Sequence, residues 1–283
     1  MKASPSFVNS PNRIGWQKVR FLQHSFSMPP AAKIERVNVL GVGISALNLG
    51  SAIDTMAEAV RRKVRGYICV TGVHGVMEAQ SDSRFRAILN DALLCTPDGI
   101  PMVWMGRLHG QRQMGRVYGP DLMLAVCALP GCRHYLYGGS NGTVHLLKKR
   151  LEALFPAVQI VGVYEPPWRP LNPDEETELV AQVEQTQPDI IWVGLSTPKQ
   201  EKFMAGYLPK LATTLMVGVG AAFDIHSGRV KQAPRWMQRS GLEWFYRLCQ
   251  EPRRLWRRYL ANNPRFLFWA LCQLLRLRKF ELN

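Results

Sequence analysis

From Val37 onward, short unbroken apolar runs alternate with longer stretches whose apolar residues recur every three or four positions. "VNVLGVGI" (37–44) reads as a strand, and "LNLGSAIDTMAEAVRRK" after it has the periodicity of an amphipathic helix. "GYICVTG" (66–72) is a strand ending at Thr71, and "VMEAQSDSRFRAILNDA" is helical up to a short apolar run before Asp98. "HYLYGGSNG" (134–142) reads as strand and glycine turn, followed by the helix "TVHLLKKRLEALF". "VQIVGVYEPP" (158–167), "PDIIWVGLSTPKQE" (188–201) and "TLMVGVGAAFDIHSG" (214–228) repeat the strand-then-loop pattern. Continuous apolar strands separated by helices predict a Rossmann-like α/β fold, a mostly parallel sheet with helices on both faces. There is no internal repeat.

In such a sheet, ligands gather in the crevice at the carboxyl ends of the strands. Most of the unusual loops fall at strand ends: Thr71-Gly72-Val73-His74, Pro97-Asp98-Gly99, Gly138 to Gly142, Ser196 to Glu201, and Ala222-Phe223-Asp224. The topology therefore predicts that they converge.

Composition narrows the picture. With 47% apolar residues and 10% aromatic, the 283-residue chain can bury a sizeable core, which excludes wholesale disorder. The formal charge of +15 calls for a polyanionic partner, an anionic membrane or an anionic substrate. Residues 226–283 hold thirteen Lys/Arg and three acids, so most of the excess lies in the last fifth of the chain. Residues 1–33 read as a polar, proline-spotted tail, flexible and without the apolar core of a signal peptide. Residues 34–241 form the α/β domain, and residues 242–283 a basic helical appendage. The six cysteines lack CxxC pairing and a histidine at ligand spacing, which suits buried thiols in a reducing, cytoplasmic setting. No metal-binding spacing and no DxD motif occurs, so neither a metal nor another cofactor is expected.

Each motif has two readings. "YGGSNG", with Gly138, Gly139, Ser140 and Asn141, can bind phosphate through backbone N–H groups at a helix start, or be an ordinary tight turn. In "STPKQE", Lys199 can face phosphate and Gln200 a sugar hydroxyl. Alternatively, Thr197 caps a helix, with Pro198 first in it and Gln200 as the capping partner. His74 is more often structural than catalytic. Arg116 meets phosphate, or ties its loop down through Asp121. Asp98, in "CTPDGIP", is either plain turn chemistry or a carboxylate on a stiff loop at a sheet edge.

In order along the chain, "TPDGIPMVW", "RVYGPDL", "YGGSNG", "VGLSTPKQEKF" and "GVGAAFDIHSGRVKQAPRWMQRSGLEWFYRLCQEPRRLWRRYL" resemble the WecG/TagA/CpsF glycosyltransferases. The similarity extends from about Val37 to about Phe266. It implies inverting, metal-independent transfer of a sugar from a UDP-sugar donor to a polyprenyl-diphosphate-linked saccharide at the cytoplasmic membrane face. By the same resemblance Asp98 is the base, Thr71 its support and Gln200 an active-site amide. The glycine turn, Phe223 and Asp224 belong to the nucleotide pocket, and Arg247, Arg254 and Arg257 to the diphosphate. Many members have asparagine two residues after the threonine, where this chain has Val73 and then His74. The "TGVHGVMEAQ" form resembles an exopolysaccharide subgroup, and it leaves the sugar open.

In the appendage, Pro252 and Pro264 are expected to divide short helices, the last of them apolar nearly all round over "FLFWALCQLL". Such a helix is too short to span a bilayer but suits an interfacial position on an anionic membrane. The other reading packs it on its own domain or on a second copy, so a homo-oligomer stays open. A basic run with Trp and Tyr also suits nucleic acid, but no nucleic-acid module occurs and none is expected as a partner. The glycine pattern is a poor match for a nicotinamide-dependent oxidoreductase.

Overall fold

The computed structural model describes residues 34–282; the tail expected over 1–33 lies outside them. β1 (Arg36–Val39) and β2 (Val42–Ser45) form an antiparallel hairpin rather than the single strand the pattern suggests. Leu40 and Gly41 turn it at φ 52° and 82°, the positive-φ pair of a two-residue loop. A leucine is costly there, but its side chain is fully buried. Its backbone is also pinned: the Leu40 amide donates to Gln273 at 3.0 Å, and its carbonyl accepts from Gln80 at 2.7 Å.

The chain continues through α1 (Leu49–Arg61), β3 (Gly66–Thr71), α2 (Val73–Ser81), α3 (Ser83–Asp91), β4 (Leu94–Pro97), α4 (Ile100–Leu108) and α5 (Gly119–Cys127). Next come β5 (Arg133–Gly138), α6 (Thr143–Leu154), β6 (Gln159–Tyr164), α7 (Pro173–Thr186), β7 (Ile190–Gly194), α8 (Lys199–Tyr207) and β8 (Leu215–Gly218). The helices α9 (Ala222–His226), α10 (Arg235–Arg239), α11 (Glu243–Gln250) and α12 (Pro252–Leu274) follow. The main sheet has six strands in the order β4-β3-β8-β7-β5-β6, every pair parallel. The α/β architecture is the one the apolar pattern predicts.

Strand side chains alternate between two cores, one on each face. Tyr67, Cys69, Tyr135, Tyr137, Ile191 and Val193 point to one, where the β-hairpin and the residues of α2, α3, α7 and α8 cover them. Ile68, Leu136, Ile190, Trp192, Leu215 and Val217 point to the other, beneath α1, α5 and α6. Because both faces are covered, the strands read as unbroken apolar runs.

α12 runs through Pro264 rather than ending there. Proline removes one backbone donor; the carbonyl left without it belongs to Leu260, an exposed residue whose oxygen can turn to water. One face of α12 docks on the domain. Leu255, Phe266 and Ala270 are buried, Asn262 lies 3.1 Å from the His74 ring, and Gln273 reaches the hairpin. The opposite face leaves Leu260, Leu267 and Leu271 exposed. Among the described residues no helix is long and apolar enough to cross a membrane.

Candidate active site

Parallel strands deliver their following loops to one edge, and there the loops after β3, β4, β5, β7 and β8 surround a cleft of 1360 Å³. Thr71, Asp98, Arg116, Gly139, Ser140, Lys199, Gln200, Asp224 and Arg247 all line it. Gly138, Asn141, Phe223 and Arg257 do not. The Phe223 ring is buried against the backbone of Gly194, where a methyl group would meet it at 2.3 Å, so it supports the cleft from below. Arg257 is exposed and lies over the Trp256 ring. The side chain of Arg254 lies outside the described residues.

Asp98 is set by backbone contacts on both sides. Its amide donates to the Thr71 carbonyl at 2.9 Å, and the Val117 amide donates to the Pro97 carbonyl at 2.8 Å. The approach is so close that a Cβ on Gly72 would meet the Asp98 carbonyl oxygen at 2.7 Å. Gly99, at φ 95°, then lets the chain turn away into α4. The Asp98 side chain keeps 32% exposure, yet its Oδ1 is buried without a hydrogen bond. Burial pushes the carboxyl up to about 6; Arg116, with Nη2 at 3.6 Å from Oδ1, opposes that rise. Such a group is largely ionised at neutral pH and still holds a proton well. Thr71, beside it, is nearly fully buried and accepts from the Cys95 thiol at 3.2 Å.

Arg116 does not tie its loop down through Asp121. Its hydrogen bond goes to Glu243 of α11, and its guanidinium lies 4.1 Å from the Tyr118 ring centroid. The nearer carboxylate accepts from Nη2.

The lysine-glutamine loop also departs from its capping reading. α8 starts at Lys199, and the Thr197 hydroxyl donates to Glu201 Oε1 at 2.8 Å instead of capping the helix. Gln200 is buried, and its Nε2 donates to the same Glu201 oxygen at 3.1 Å, which leaves its Oε1 without a partner. Burial raises the Glu201 carboxyl above its ordinary range. Lys199 stands at the mouth, 5.9 Å from the ring of the exposed Trp168.

In the glycine turn, the Gly142 amide at the start of α6 is already held by the Glu165 carboxylate at 3.0 and 3.1 Å. That donor is occupied by the protein itself, and so is the Gly139 amide, which donates to the Gly194 carbonyl at 3.2 Å, so an anion in the cleft meets the turn at Ser140 rather than at the helix start. Gly138, at φ 133°, lies where β5 passes β7, and a Cβ there would stand 2.6 Å from the Gly194 carbonyl oxygen. Gly138→Ala should therefore cost about 2–4 kcal/mol in urea unfolding.

Burial lowers the His74 imidazole to about 4, so it is neutral at physiological pH. It bonds the Thr197 backbone, and its Nδ1 meets Asn262 at 3.1 Å. It thereby joins α2, the Thr197 loop and α12. Three further cleft residues, Glu243, Arg258 and Asn262, escaped the sequence reading. For the last two, helical spacing along 255–266 (Leu255, Arg258, Asn262, Phe266) was the available signal. Among the described residues no group of three His, Cys, Asp or Glu side chains could hold a metal ion.

Comparison with known proteins gives this arrangement a context. Relatives include the N-acetylglucosaminyldiphosphoundecaprenol N-acetyl-beta-D-mannosaminyltransferase of Bacillus subtilis (strain 168), 32% identical over 218 residues, 76% of this chain and 83% of that protein. The protein of the same name from Bacillus spizizenii (strain ATCC 23059 / NRRL B-14472 / W23) is 32% identical over 187 residues, 65% of this chain and 70% of its own. The model of the glycosyl transferase WecG/TagA/CpsF family matches residues 37–280, nearly all of the described chain. The chain belongs to that family and is a glycosyltransferase.

Proposed function

We propose that this glycosyltransferase moves a sugar from a UDP-sugar donor, with inversion and without a metal, to a polyprenyl-diphosphate-linked saccharide in the assembly of an exopolysaccharide or another surface polysaccharide. The observation that carries the reading is Asp98: a carboxylate of raised proton affinity, partly open to a cleft whose rim also holds Arg116, Lys199 and Arg247, whereas Glu201, also raised, is buried and accepts from Thr197 and Gln200. One base is what an inverting transfer needs. The acceptor oxygen attacks the anomeric carbon on the face away from UDP and the bond to the diphosphate oxygen breaks. The hydroxyl proton passes to Asp98 and from there to water. The leaving diphosphate is met by cationic side chains and by the backbone N–H of Ser140, held in place before reaction. Gln200 Oε1 accepts from a sugar hydroxyl.

The relatives' name specifies a lipid-linked diphosphate acceptor and a β product, which is the inverted outcome if the donor sugar is α-linked. An acceptor anchored in lipid requires the enzyme at a membrane. The exposed Leu260, Leu267 and Leu271, on a C-terminal segment rich in arginine, suit an anionic inner leaflet.

The test is a donor panel: purified protein, several UDP-sugars, a short-chain prenyl-diphosphate saccharide and excess chelator, with released UDP measured. Acceptor-dependent UDP release from one donor is expected. Release that needs an added divalent ion would overturn metal independence, and no release from any UDP-sugar would overturn the donor class.

A further inference from the structure

Arg116 stands between two carboxylates from distant parts of the chain. Its Nη2 donates to Glu243 in α11 and lies 3.6 Å from Asp98 Oδ1, while Nη1 reaches the Gln238 carbonyl at 3.4 Å. Glu243 is buried, and the Tyr118 hydroxyl also donates to it. A guanidinium at contact distance from a carboxylate ordinarily closes on it with two parallel N–H bonds. Closing on Asp98 in that way would occupy both of its oxygens and lower its affinity for a proton. Instead Nη2 donates to Glu243 and Nη1 to the Gln238 carbonyl, Nε is buried without a partner, and Asp98 Oδ1 has no hydrogen bond.

We infer that Glu243 is a positioning residue: it holds Arg116 back from Asp98, so that the carboxylate stays available and basic enough to take the acceptor's proton. The inference rests on the reading of Asp98 as the base. The groups facing Asp98 are Arg116, Tyr118, Glu243 and Arg247, with Tyr259 of α12 beyond them. Glu243 is the acidic one among them. Its loss frees Arg116 and removes a negative neighbour, and both changes favour the ionised form of Asp98. Apart from geometry, the direction of each neighbour's influence agrees: Arg116 lowers the Asp98 carboxyl and Glu243 raises it.

The experiment is the pH dependence of kcat and kcat/KM for the full chain and for Glu243→Gln, Arg116→Gln, the double variant and Asp98→Asn, with UDP affinity and circular dichroism confirming folding. Glu243→Gln should move the acidic limb of the profile down by about one pH unit. It should lower plateau kcat about tenfold, with donor KM within about twofold. The double variant should bring the limb back up, because the cation that would capture Asp98 is gone. A purely structural glutamate would reduce the amplitude and leave the limb in place, which overturns the inference. If Glu243→Gln does not fold, Glu243→Asp, one methylene shorter, carries the same test with a smaller downward shift. A wild-type limb in the variant that folds overturns it equally. Full turnover in Asp98→Asn would remove the base reading and this inference with it. An inactive Asp98→Asn alongside an unmoved limb in Glu243→Gln would remove the inference alone.

Discussion

Asp98→Asn should lower kcat by about 10³-fold, the typical contribution of a positioned general base. Donor KM should change little, since the amide keeps the size of the carboxyl. In the unaltered protein the rate should rise as pH climbs through about 6, as Asp98 loses its proton, and then level off. The residual rate of the asparagine variant should lack that limb. Stability should move the other way. A carboxyl raised by burial favours folding in its protonated form; that contribution is present below the unfolded value and is lost as pH rises through about 6. At mildly alkaline pH the asparagine variant should therefore melt no lower than the parent, and somewhat higher if desolvation dominates. Turnover equal to the parent would exclude Asp98 as the base, and a lower melting temperature at alkaline pH would contradict the burial argument.

The second large effect concerns the outer face of α12. Leu260, Leu267 and Leu271 are spaced so that one stripe points away from the docked face, at 63%, 62% and 54% exposure. Replacing Leu260 and Leu271, which unlike Leu267 do not line the cleft, with glutamate puts two acids against an anionic surface and removes two apolar anchors. Sedimentation with phosphatidylglycerol vesicles should fall at least about tenfold, since a basic residue near such a surface contributes roughly 1 kcal/mol and an acid reverses the sign. Turnover on a water-soluble short-chain acceptor should persist, because neither side chain belongs to the buried face. Deleting 242–283 should abolish both vesicle binding and transfer, as it also removes Glu243, Arg247 and Arg258 from the cleft. Unimpaired vesicle binding by the double glutamate variant would move the membrane contact elsewhere. Full activity of the truncated chain on a lipid-linked acceptor would sink the role given to the appendage.

Much of the architecture was legible because doubly covered strands write themselves as unbroken apolar runs, and parallel topology then forces their loops to one rim. The hairpin at Leu40-Gly41 was not. It depends on a leucine at positive φ held by Gln80 and Gln273, and long-range side-chain amides leave no local periodicity. Pro264 misled for a related reason: the rule that proline ends a helix weakens where the freed carbonyl belongs to an exposed residue, as at Leu260. Within the site, chain order and strand ends placed Thr71, Asp98, Lys199 and Gln200 correctly at the rim. Phe223 went under the floor because an aromatic ring beside a glycine strand end finds more contact there than in the cleft. The partner of Arg116 could not be read at all, since Glu243 lies 127 positions away and nothing local distinguishes it from Asp121.

The Gln273 clasp on the Leu40 turn joins parts of the chain 233 residues apart. During synthesis, then, the opening hairpin has to wait, its turn unsecured, until the last helix has left the ribosome. The cleft, too, is complete only once α11 and α12 are present, so a chain stalled before them has the Asp98 loop but not the helices that line the cleft beside it.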